Sequence, residues 1–188
     1  MKIQLIAPTL ALAALVSAQA AQAQQQACVS PQDLGDAVRY AMPIAFDATR
    51  TACANRLSAD GFIASGGEEF ISTFRTGQDK AWPGAFRLLK TFMAQDGKEE
   101  GKTDDGINAM IASLPEDALR PFVDGMVGQM IAAEIKGDTC GKIERGMELI
   151  APLPPENVGG LFAFVADIAD LKNPPICGSA PQTAQNGK

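Results

Sequence analysis

Four cysteines, Cys28, Cys53, Cys140 and Cys177, are spread over most of the chain behind a stretch built like an export leader. That combination restricts the fold more than any other feature, because an even cysteine count in an oxidising compartment favours two disulfides over reactive thiols. Lys2 supplies a basic start, residues 3–16 are mostly apolar, and Ala21-Gln22-Ala23 fits a small-residue cleavage site. Cleavage is expected after Ala23, so residues 1–23 read as a secretory signal peptide and the location as periplasmic or extracellular. Gln4, Pro8 and Thr9 interrupt the apolar run, which falls short of the roughly 20 residues of a spanning helix. Cys28 follows the glutamine run Gln24 to Gln26, which argues against a lipid anchor. Stable membrane insertion is not expected.

The rest of the chain carries helical spacing and no convincing period-two alternation, so the expected class is all-α. Ser30-Pro31-Gln32-Asp33 has an N-cap serine, a proline at the first helical position and an early acid. Leu34, Val38, Ala41 and Ala45 continue at helical spacing, and Pro43 is expected to kink or break the run before a second stretch from Ile44 to Leu57. A short helix with Phe70, Ile71 and Phe74 inward should end at Gly77, and another should run from about Trp82 to Ala94. Residues 95–106 are polar and glycine-rich and read as a surface loop. Ser113-Leu114-Pro115-Glu116 has the pattern of a capping box. It leads into the clearest amphipathic stripe, Leu119, Phe122, Val123, Met126, Val127, Met130 and Ile131. Helices over about 139–151 and 156–171 follow. Val158, Leu161, Phe162, Phe164, Val165 and Ile168 wrap most of the last one, which implies a central, surrounded helix.

The expected architecture is a compact single-domain bundle of six to eight helices over residues 24–177, stapled by two disulfides, with a disordered tail at 178–188. An antiparallel hairpin of the last two helices would bring Cys140 to Cys177, leaving Cys28 to pair with Cys53. That second bridge requires the chain to reverse near Tyr40 to Pro43, because a straight helix would hold the two cysteines more than about 30 Å apart.

The chain contains no histidine, which removes Ser-His-Asp and Cys-His catalysis and the histidine-containing zinc sites. No C-x-x-C is present to suggest a thioredoxin-like site. The full chain carries a formal charge of −6, and loss of Lys2 with the leader takes it to −7 (16 − 1 basic against 22 acidic residues). An acidic surface of this size opposes nucleic-acid binding. No cofactor is expected.

Three constellations could carry chemistry, and each also has a plain structural account. Asp96, Glu100 and Asp104 with Gly101 match part of a calcium loop, but Lys98 and Ile107 stand where two further ligands belong, as in a solvated acidic loop. Glu68 and Glu69 are the best carboxylates for a histidine-free glycosidase, provided one sits in an apolar pocket. They equally suit the first turn of a helix, where acids complement its dipole. Trp82, the only tryptophan, could be an exposed contact or a buried anchor.

The expected function is a non-enzymatic binding or accessory module for an envelope or secreted protein, of unspecified oligomeric state. Alternatives are a carboxylate-based envelope glycoside hydrolase and a carrier of small apolar ligands. A hydrolase needs converging carboxylates, a carrier an enclosed cavity, and an interaction module an exposed apolar patch of more than a few hundred Å².

Overall fold

The computed structural model describes residues 28–99, 115–169 and 174–178. The expected leader, Glu100, Asp104, Ser113 and residues 179–188 lie outside them. Among the described residues the fold is all-α, with six helices: α1 Pro31–Ala52, α2 Phe62–Ser65, α3 Gly67–Glu99, α4 Glu116–Glu134, α5 Cys140–Ile150 and α6 Pro155–Ile168. The start of α1 forms as its sequence dictates, with the Ser30 hydroxyl accepting the Gln32 N–H at 3.2 Å and Pro31 opening the first turn.

The central helix is α1, and it does not reverse at Pro43. A proline inside a helix costs about 3 kcal/mol, but Met42, Pro43 and Phe46 are all buried here, and packing on several sides outweighs that cost. The two faces of α1 serve separate parts of the core. Met42 and Phe46 join Ile63, Phe70, Ile71, Phe74, Met147 and Val158. Tyr40, with Ile44 beside it, joins Ala81, Trp82, Phe86, Leu119 and Val123. Helix α3 runs antiparallel to α1, marked by Arg75 Nη2 to Asp47 Oδ1 at 2.9 Å and Arg87 Nη2 to Asp33 Oδ1 at 2.7 Å.

Helix α3 fuses two expected helices. Gly77 lies mid-helix with open space around it and does not act as a cap. Inward positions continue through Phe74, Gln78, Ala81 and Ala85, and Gln78 Nε2 donates to the Tyr40 carbonyl at 3.0 Å. The helix also extends to Glu99, so residues 95–99, Asp96 among them, are helical where a loop is expected, and residues 100–106 lie outside the described residues. Helix α4 keeps its helical path through Pro121, but Phe122, Met126 and Met130 of its apolar stripe face solvent.

Both disulfides differ from the expected pairing. Cys28 joins Cys177 and Cys53 joins Cys140. The unbroken α1 holds Cys28 and Cys53 at opposite ends of 22 helical residues, about 33 Å, far beyond bridging distance. Cys28 is instead brought to Cys177 by a parallel bridge between Val29 and Ile176. Val29 N–H donates to the Pro175 carbonyl and Cys177 N–H to the Val29 carbonyl, each at 2.8 Å. Cys53, just past α1, meets Cys140 at the start of α5. Two intramolecular disulfides and no free cysteine point to an oxidising, non-cytoplasmic compartment.

Candidate functional site

Helix α6 is the least covered apolar element of the fold. Pro154 and Pro155 open it, and its inward side meets α1 through Val158, Gly159 and Ala163. The approach is backbone to backbone: Gly35 and Gly159 lie so close that neither position has ordinary room for a side chain. Such close crossing leaves the larger side chains on the opposite side. Leu161, Phe164, Val165 and Ile168 fall at i, i+3, i+4 and i+7, one outward stripe, with exposures of 44%, 61%, 55% and 66%. Leu149, near the end of α5, and Leu153, in the α5–α6 turn, are exposed as well. The expectation of a surrounded central helix is thereby corrected: α6 is apolar on all sides but covered on one.

Beside the stripe, a cleft of about 620 Å³ runs between α1 and α6, and Phe164 and Gly160 form part of its wall. Arg39, the one cation among its described lining residues, forms a close ion pair with Asp36 and reaches Glu156 Oε1 at 3.4 Å. Asp167 stands farther along α6, and Cys177 closes the lining near the disulfide. Among the described lining residues, three carboxylates thus face one guanidinium. Helix α6 itself carries Glu156 and Asp167 and no lysine or arginine. Neither this cleft nor a second groove of about 660 Å³ between α1, α3 and α4 is an enclosed cavity of the kind a carrier requires.

The residues singled out from the sequence lie elsewhere. Glu68 is exposed, in a close ion pair with Arg50 and at 2.9 Å from Arg75 Nη1. Its hydrogen bond raises the Arg75 guanidinium above its ordinary pKa. Glu68 borders an open depression of about 410 Å³ with Leu57 and Ile63, and it is the one acid among the described residues lining it. Glu69 is exposed and not part of that depression. Glycosidic chemistry asks for two carboxyl groups across the bond; Asp47, which shares the Arg75 guanidinium with Glu68, is not among the described residues lining the depression, and no other acid is.

Of the calcium-loop candidates, Asp96 lies on α3 while Glu100 and Asp104 fall outside the described residues, and the described residues hold no group of three or more histidine, cysteine, aspartate or glutamate side chains placed for a metal. Trp82 is a core residue, 4% exposed, between Tyr40 and Phe86 with ring centroids 5.0 and 5.2 Å away. The outward stripe of α6 was visible in the sequence as apolar residues, but its orientation was not. Gly159 and Gly160 stand side by side in the sequence and only the first makes a close backbone approach, so the glycines do not reveal which side faces in.

A polar network ties α4 to the core. The Tyr40 hydroxyl donates to Asp124 and accepts from Arg120 Nε at 3.2 Å, while Arg120 Nη1 pairs with Asp79 at 2.6 Å. Burial, then the hydrogen bond to Asp124, pushes the Tyr40 phenol well above its usual pKa.

Comparison with known proteins gives no family model, no curated protein and no solved structure that matches the chain.

Proposed function

We propose that this protein is an exported, non-enzymatic interaction module, periplasmic or secreted, whose contact face is the outward side of α6. The observation that carries this reading is the solvent-facing stripe Leu161, Phe164, Val165 and Ile168 at i, i+3, i+4 and i+7. Apolar area left in water forgoes about 25 cal/mol per Å², and contiguous apolar patches beyond a few hundred Å² mark interaction sites. The four-residue set is an anchor face of the kind another helix can cover. The leader-like residues 1–23 and the two disulfides support export.

Site-specific photocrosslinking in the native cell envelope tests it. A photoreactive phenylalanine analogue at Phe164 or Ile168 is expected to give a discrete adduct, and the same group at exposed Thr76 on α3 none. Absence of adducts at 164 and 168, or the same adducts from all three positions, would contradict the proposal.

A further inference from the structure

We infer that the occupant of the α6 face is a cationic amphipathic helix of a partner protein, its apolar residues on the stripe and its lysine or arginine residues against Asp167, Glu156 and the acidic cleft. This rests on the proposed interaction role and adds the chemistry of the partner.

Charge placement selects among the possible occupants. Glu156 and Asp167, near the two ends of α6, both lie on the flank of the helix that lines the cleft beside Phe164, and the helix has no cation. A second copy pairing stripe to stripe in antiparallel orientation would set Glu156 of each helix against Asp167 of the other. Like charges facing one another across an interface destabilise it, whereas opposite charges steer and fix the encounter. A membrane surface is disfavoured for the same reason, since helices that lie in a bilayer interface place lysine and arginine along their flanks.

The cleft adds to the selection. Asp36, Glu156 and Asp167 outnumber Arg39, which is already engaged by the first two. Gly160, with no atom within 4 Å of its missing side chain, leaves the floor beside Phe164 open for an incoming long side chain. A lysine or arginine stem could lie along Phe164 with its charged end at Asp167.

The test uses the oxidised protein and three labelled model helices with one leucine face and lysine, glutamine or glutamate elsewhere, read by fluorescence anisotropy. The lysine helix is expected to bind about tenfold tighter than the glutamine helix, and the glutamate helix weakest. Raising salt from about 0.05 to 0.5 M should loosen the lysine helix about fivefold or more. Phe164→Ser, which removes the apolar contact without changing charge, should weaken it about tenfold. Asp167→Lys should reverse the order of the lysine and glutamate helices.

Equal binding of all three helices, lost in Phe164→Ser, would overturn the cationic partner and leave the contact face standing. Failure of all three together with dimerisation in sedimentation that Phe164→Ser abolishes, or with uptake by phosphatidylcholine vesicles, would also overturn it, in favour of a second copy or a lipid surface. Failure of all three with no adduct at Phe164 in the envelope would remove the contact face as well.

Discussion

A Cβ placed on Gly159 would stand 2.6 Å from the carbonyl oxygen of Gly35. The obstacle is backbone, so it cannot swing aside, and the α1–α6 crossing depends on the absence of that one carbon. Gly160, the next residue, has open space in its place. Gly159→Ala is therefore expected to destabilise the fold by about 1–3 kcal/mol, while Gly160→Ala stabilises it by about 0.5–1 kcal/mol through helix propensity. Chemical denaturation of the two variants checks this, and equal effects would show that α6 does not cross α1 at that contact.

The disulfides close long loops, with separations of 149 residues for Cys28–Cys177 and 87 for Cys53–Cys140. In the chain-entropy model, removing either alone costs up to about 5 kcal/mol. The double variant Cys53→Ala with Cys140→Ala should lower the denaturation midpoint substantially. Non-reducing peptide mapping should recover a peptide holding Cys28 joined to one holding Cys177. Recovery of Cys140 joined to Cys177 would contradict the topology.

Tyr40 is the only tyrosine, so phenolate absorbance reports it alone. Its folded pKa is raised above the unfolded value by burial and the Asp124 hydrogen bond. The resulting stabilisation is fully present below the unfolded pKa of about 10 and is lost as pH rises toward the folded value. Alkaline titration should show no phenolate until the protein unfolds, and Tyr40→Phe should flatten the dependence of stability on pH above about 10. Ordinary ionisation near pH 10 in the folded protein would contradict the buried network.

Trp82 is buried, yet its indole N–H has no acceptor among the described residues. Trp82→Ala should cost about 3–5 kcal/mol as a cavity opens between Tyr40 and Phe86. Trp82→Phe removes the unpaired donor together with some area, and the opposing effects should leave a loss of about 1 kcal/mol or less. Thermal or denaturant unfolding of both variants measures the difference, and equal losses would indicate that the N–H is satisfied.

Helix starts and apolar faces were legible in the sequence where local chemistry decides them. Ser30-Pro31 opens α1, and Phe70, Ile71 and Phe74 turn inward as their spacing requires. Continuity was not legible, because the local breaker Pro43 is overridden by burial along α1 and Gly77 by the packing of the rest of α3 on that helix. In α3 the inward position 78 is a glutamine, so the apolar pattern lapses where the helix bonds to the Tyr40 carbonyl. The disulfide pairing was not legible because an antiparallel hairpin of the last two helices would join Cys140 to Cys177, whereas the parallel bridge of Val29 with Ile176 carries Cys177 to Cys28. For α6, residues 158–168 are apolar around the helix, a pattern that fits either a surrounded helix or one with a bare outer face. Gly35, more than a hundred residues away, determines which side faces in, and no local pattern contains that contact.

The most direct measurement of the central claim is carbene footprinting of the oxidised monomer, read residue by residue along α6. Leu161, Phe164, Val165 and Ile168 should label heavily while Val158 and Ala163 stay protected, and a bound lysine-bearing model helix should erase the labelling on the outer four. Protection of Phe164 and Ile168 equal to that of Val158 in the free monomer would contradict an open docking face on this helix.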